Sequence, residues 1–363
     1  MPSLSKCRIV NVGKRRDGAQ RFWCLQHRAD ATAKYGRRAS RCRNFDLRPV
    51  SKSEVLKLDV DSFSGGVGVW GAVPPVYDTT SAEIEIGVHV HARQADKSSK
   101  EIDWTYRRVD ITSSRFVRGG RPLSITEADA VFHMVSTVFG FEVEYIECGF
   151  CGLAHLDRDL FSVHLHKAHL CAGCGRIFRA KVKGIGNPTR LVKDAFSDGR
   201  HAIAPANREI VFAQADYPGG IQIWASNPAI LWTADRAEEE GIHLHMFGAN
   251  GVLARDETFS KVTIDGVELR PPEVRVLMAQ LTLPHIAERI VAISCPKCGT
   301  SHFDVGAEAF VPHIQHRCVD CGEIFNHDGR LKKTIANPAV ERFADLAKFS
   351  RRPRRIHALD RLI

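Results

Sequence analysis

The sequence predicts an α+β protein: a tandem duplication of a strand-rich unit with one helix and a four-cysteine metal module, behind a basic N-terminal segment. Three observations predict it. Eight of the 11 cysteines fall into two sets of identical spacing. The chain aligns on itself over most of its length at an almost constant offset. Alternating apolar and polar stretches recur at matching places. At 363 residues, 44% hydrophobic and 26% charged, the chain is long enough for two domains and unlike a disordered or fibrous one.

The segments are 1–52 (basic head), 53–190 (repeat 1), 191–205 (linker), 206–340 (repeat 2) and 341–363 (basic tail). The head holds 14 Lys and Arg against three Asp, a balance of +11. Residues 348–363 hold six against one, so the body between is acidic at −7 within a total of +9. In the head, Arg and Lys interleave with Phe22, Trp23 and Tyr35. Basic side chains neutralise phosphates and aromatics stack on unpaired bases, which points to nucleic acid or another acidic partner. Cys7, Cys24, His27 and Cys42 have the composition of a tetrahedral site of three sulfurs and one nitrogen. Three free or buried thiols are the alternative.

The repeat begins at FSGGVGVWGAVPPVYDTTSAEIEIGVHVH (63–91), which lies without a gap on YPGGIQIWASNPAILWTADRAEEEGIHLH (217–245). Matched residues include Gly65, Gly66, Trp70, Pro74, His89 and His91. DWTYRRVDI (103–111) then lies on DETFSKVTI (256–264), and Asn187-Pro188 and Asn337-Pro338 close the two copies. EIEIGVHVHAR alternates strictly, as a half-buried strand does, with Ile84, Ile86, Val88 and Val90 on one face and His89 and His91 on the other. SITEADAVFHMVSTVF reads as a helix capped by Ser124 with Glu127, and PPEVRVLMAQLTL, opening on Pro271-Pro272, as its counterpart. The stretch 187–209, with its prolines and glycine, reads as the connection between copies.

Cys148, Cys151, Cys171 and Cys174 read C-x2-C-x19-C-x2-C, as do Cys295, Cys298, Cys318 and Cys321. Two C-x2-C turns present four thiolates to one ion from two directions, the arrangement of structural zinc. An odd cysteine count argues against a closed disulfide framework and for a reducing compartment, the cytoplasm. These modules resemble zinc ribbons over about 30 residues each. The resemblance implies a metal-stapled fold and no particular activity.

The histidines raise the functional question. Within the 31 aligned module positions, 12 are identical, and four of those are His155/His302, Asp157/Asp304, His166/His313 and His169/His316. With His89/His243 and His91/His245, each copy has five matched histidines and a matched aspartate beyond its cysteines. Packing alone would keep apolar positions instead. One reading is a second, catalytic metal centre in each copy. His-x-His on a strand face sets two imidazoles about 7 Å apart at the backbone. His-x-Asp and His-x2-His would complete the site, with Asp103 and Asp256 as ligands or their partners. The competing readings are ordered structural histidines and residues inherited from the duplication without a role.

No stretch approaches the length of a membrane span, and the N-terminus lacks the apolar core of a secretory signal. There is no G-x-S-x-G elbow, Walker loop or deaminase H-x-E with P-C-x2-C. Two function classes remain: a zinc-stapled protein binding nucleic acid through its basic ends, and a metal-dependent hydrolase of phosphoester or amide bonds.

Overall fold

A computed structural model describes residues 55–80, 84–95, 102–116, 121–196, 201–327 and 332–348, with the strand backbones Ile9–Lys14, Gln20–Cys24 and Ala29–Asp30. Cys7, His27 and Cys42, the side chain of Cys24 and the basic tail from 349 onward lie outside the described residues. Among the described residues no helix is long and apolar enough to cross a membrane.

The α+β architecture appears twice in the same order. In repeat 1, strand Val55–Asp59 pairs in parallel with Arg108–Thr112, which pairs antiparallel with Leu123–Thr126. In repeat 2, Glu209–Phe212, Lys261–Ile264 and Val267–Leu269 repeat that mixed sheet. Beside each lies an antiparallel meander. Val67–Ala72, Gly87–Ala92 and Ile102–Tyr106 form one, and Gly220–Ala225, Ile242–Phe247 and Leu253–Phe259 the other. Alternation sorts their faces: Val88 and Val90, and Ile242 and Leu244, are fully buried, while the histidines between them stay half-buried.

The two meanders exchange strands. Tyr77–Asp78 of repeat 1 joins the repeat 2 sheet against Ile223 and Gln222, and Leu231–Trp232 of repeat 2 joins the repeat 1 sheet against Val69 and Gly68. Around this crossing Val76 N–H donates to Ile223 O and Ile230 N–H to Val69 O, both at 2.8 Å. The principal core is therefore shared. Met134, Val135 and Phe139 of repeat 1 pack with Ile221, Leu244, Leu277 and Phe343 of repeat 2.

Helices Glu127–Val138 and Pro271–Thr282 cover the apolar faces of the sheets and touch each other. The first is capped by Thr126 with Asp129, two residues beyond the expected Ser124 and Glu127. Ser124 lies inside the strand and donates to Asp110 at 2.6 Å, so the cap passes to Thr126, the last residue of the strand. The second helix opens on its proline pair, as the sequence predicts.

After each helix comes the four-cysteine module and then a closing helix, Thr189–Phe196 or Ala339–Lys348. The stretch 187–209 thus contains a helix matched in the other copy, followed by strand Ile203–Pro205. Asn187 and Asn337 organise this corner alike. Each donates its amide to a carbonyl of the long helix, Asp129 or Glu273, and accepts the N–H of the residue two positions on.

Candidate metal centres

The four-cysteine clusters are built from four copies of one turn. In each, the glycine after C-x2-C adopts positive φ: Gly152 (69°), Gly175 (68°), Gly299 (74°) and Gly322 (71°). Its N–H returns to the carbonyl of the first cysteine, at 2.8–3.0 Å. A side chain is strained in that conformation, which accounts for the glycines. Sγ atoms approach to 3.7 Å (Cys148–Cys174) and 3.5 Å (Cys151–Cys171) in repeat 1, and to 3.6 Å (Cys295–Cys321) and 3.5 Å (Cys298–Cys318) in repeat 2. Bonds of about 2.3 Å to a tetrahedral zinc put the sulfurs about 3.8 Å apart, so both clusters fit zinc. At Cys298, hydrogen bonding with the Thr300 side chain and backbone holds the thiol down to about 6, favouring the thiolate a metal needs.

Beneath each cysteine cluster lies a buried group of three histidines around one aspartate. Asp157 Oδ1 meets His155 Nε2 at 2.8 Å, His166 Nε2 at 3.1 Å and His169 Nδ1 at 3.4 Å. Asp304 Oδ1 meets His302 Nε2 at 2.8 Å, His313 Nε2 at 3.4 Å and His316 Nδ1 at 3.3 Å. The other carboxylate oxygen is held by a backbone N–H, of Gly186 at 2.7 Å or Ala336 at 2.6 Å. Burial opposes ionisation of both aspartates, but their imidazole partners outweigh it and hold the carboxyls well below the usual range. Ligand atoms bonded at 2.0–2.1 Å in a tetrahedron sit about 3.3 Å apart, close to these spacings. The site is nearly closed: the His169 and His316 side chains have no exposure and only His166 and His313 reach the surface. Phe178 and Phe325 pack on its rings and separate it from the sulfurs.

The third pair of groups is open. On the strand Gly87–Ala92, His89 Nε2 and His91 Nε2 lie 2.8 Å apart and 3.5 and 3.0 Å from Asp103 Oδ1 on the neighbouring strand. In repeat 2 the triangle is 3.1 Å between His243 and His245, with 3.2 and 3.4 Å to Asp256 Oδ1. Antiparallel register makes these triads: His91 is directly opposite Asp103, and His245 opposite Asp256. Thr105 and Thr258 hydroxyls lie 3.0 and 3.2 Å from Nδ1 of His89 and His243, which orients the rings with Nε2 outward. Burial and the neighbouring His91 push His89 down to about 4, so its ring is neutral and its Nε2 lone pair can bind metal. Hydrogen bonds from the imidazoles hold Asp103 and Asp256 below the usual carboxylate range. Two imidazoles and one carboxylate on one side of an ion leave its other positions free.

The histidines of one copy therefore do not converge on a single centre. His89 and His91, or His243 and His245, group with Asp103 or Asp256, while the module histidines group around Asp157 or Asp304. The reason is topological: the first set is on a sheet whose other face is core, and the second is on the module hairpin. The threonines are additions from the structure, although Thr105 and Thr258 do match in the self-alignment. The N–H groups of Gly186 and Ala336 carried no sequence signal, because any residue but proline supplies one.

Fold and sites define a duplicated, multi-site metal-binding protein. Comparison with protein-family models, curated proteins and solved structures finds no match.

Proposed function

We propose that the chain is a metal-dependent hydrolase whose reacting centres are the triads His89/His91/Asp103 and His243/His245/Asp256. The carrying observation is the contrast in access. The cysteine clusters supply four ligand atoms each and the His155-type groups are nearly closed, whereas the triad side chains are 29–57% exposed and supply only three ligand atoms each. A structural site has no use for vacant positions; a catalytic one requires them.

A divalent ion held there would polarise a phosphoryl or carbonyl oxygen and lower the pKa of bound water. Asp103 and Asp256 would add negative charge on the ion, and Thr105 and Thr258 would keep the imidazoles in the ligating tautomer. The balance is simple. One water and one ester give one acid and one alcohol: an O–P bond forms, the ester P–O bond breaks, and a water proton ends on the leaving oxygen. The cysteine modules and buried His/Asp groups serve as the rigid frame.

The test is turnover of phosphate mono- and diesters and of amides by full-length protein loaded with Zn2+ or Mn2+. Mild chelation is expected to abolish activity while the cysteine-bound zinc stays. His91→Ala is expected to lower kcat by at least 100-fold with zinc content of the cysteine sites unchanged. Absence of turnover on every ester and amide, at full metal loading, would refute the reading.

A second role rests on charge. Balances of +11 and +5 at the ends of an acidic body favour a polyanion, and nucleic acid fits both that charge and a phosphoester reaction. Affinity for short DNA or RNA should fall steeply with salt and should drop on removing residues 1–52; a flat salt response would exclude it.

A further inference from the structure

The two triads belong to different repeats, yet the fold ties both to the same place. Trp70 stands directly opposite His89 in the ladder and packs 5.1 Å from the His91 ring, and its indole N–H crosses to Glu238 of repeat 2 at 2.7 Å. Trp224 stands opposite His243 and packs 4.9 Å from His245, and its N–H crosses to the Val73 carbonyl of repeat 1 at 2.8 Å. Asn227 adds a bond from its amide to Gly71 O at 2.7 Å. Each triad therefore leans on a tryptophan anchored in the other copy, on either side of the strand exchange. Each tryptophan shares the histidine face of its own sheet and bonds the other copy, so both histidine faces border the same strand exchange.

We propose that the two triads are halves of one two-metal centre at the junction of the repeats, taking a phosphoester whose oxyanion bridges both ions. The metal pair rests on this placement of both triads at the strand exchange; the substrate class rests on the hydrolytic reading above. Either repeat alone offers three ligand atoms, and the other copy supplies the matching three. Two divalent ions against two aspartates leave two positive charges uncompensated, which a phosphoryl group neutralises and a neutral amide does not. In two-metal sites one ion places the attacking oxygen and the other stabilises the leaving oxygen. The strand exchange would then be functional as well as structural, since it holds the two ligand faces in fixed relation.

The experiment uses the full-length protein with its cysteine sites filled with zinc and Mn2+ added as probe. Electron paramagnetic resonance of the wild type is expected to show a spin-coupled Mn2+ pair. His89→Ala and His243→Ala should each leave a single uncoupled ion, with inorganic phosphate shifting the wild-type signal only. Cysteine-site zinc content and circular dichroism check folding, and His89→Gln and His243→Gln replace any alanine variant that fails. A wild-type spectrum equal to the sum of the two variants would overturn the shared centre. A coupled pair that ignores phosphate would overturn the substrate class. Kinetics separate the two levels: one shared centre predicts that either variant loses all turnover and the double variant no more, whereas independent centres predict that each keeps about half. A coupled pair without turnover on any ester would sink the hydrolytic reading and leave the metal pair standing.

Discussion

Repeat 1 and repeat 2 hold the same metal-ligand side chains on different packing. The ligand atoms superpose in role down to the backbone N–H on the aspartate, yet the interior around them has diverged. Repeat 1 buries a polar pair, His133 with Thr189 at 3.1 Å. The matched positions on the long and closing helices of repeat 2 are Leu277 and Ala339, both 1% exposed. Ser136 bonds the Ser162 carbonyl, where the longer Gln280 reaches the Ala309 carbonyl at 2.8 Å. His316 Nε2 meets the Thr334 hydroxyl at 3.2 Å, but His169 Nε2 has no partner, since glycine stands at 184. Packing can be solved in several ways with similar volume. Coordination has few solutions, because ligand type and distance are set by the ion.

The largest expected effect tests what the repeats share. Cys298→Ser and Cys151→Ser should each release one zinc and unfold their own module, because a structural zinc site supplies much of its local folding energy. Metal analysis with hydrogen exchange would show it; an unchanged melting curve and metal content would mean that the module folds without its ion. Next come Asp157→Ala and Asp304→Ala. Each strips a buried carboxylate from its imidazoles and a backbone N–H, and should cost roughly 3 kcal/mol or more in chemical denaturation. His243→Ala, on the half-exposed face, should cost well under half of that.

The next prediction concerns the divergent core. Burial pushes His133 down to about 3, with Lys193 adding to the effect. The folded state then resists a proton that the unfolded chain accepts near pH 6.5, so stability is lost as pH falls below that value. The slope is at most about 1.4 kcal/mol per pH unit. His133→Leu with Thr189→Ala, the pair found in repeat 2, should flatten that part of the profile between pH 7 and 5. An unaltered profile would show that His133 is not the group responsible. The smallest effect is Gly184→Thr, which copies the hydroxyl of repeat 2. The Cβ would meet Glu144 Cγ at 3.2 Å, a flexible neighbour that can give way. The new bond to His169 should add about 0.5–1 kcal/mol. A loss would mean that the strand cannot accommodate the branched side chain.

The duplication, the cysteine sites and the polar face of the histidine strand were legible in the residues themselves. Spacing of C-x2-C, period-two alternation and self-alignment are local or one-dimensional signals. The helix cap was missed by two residues because Ser124 and Thr126 both satisfy the local rule, and only pairing with Arg108–Thr112 shows where the strand stops. The helix Thr189–Phe196 was hidden by the prolines and glycine around it, and its match to Ala339–Lys348 depends on how Asn187 and Asn337 dock.

Which histidines group together was beyond the sequence. His91 is nearer in the chain to Asp103 than to Asp157, but sequence distance does not decide contact; antiparallel register does, and it sets His91 against Asp103 and His245 against Asp256. The residues themselves dictate the ligand types, their number and their doubling, since those depend on side-chain chemistry and spacing along the chain. Their division into closed and open groups arises from strand register within each copy, and the placement of the triads beside the exchanged strands from pairing between segments more than 100 residues apart. Such pairing is selected by burial of the shared core, a property of the whole folded chain that no local pattern encodes.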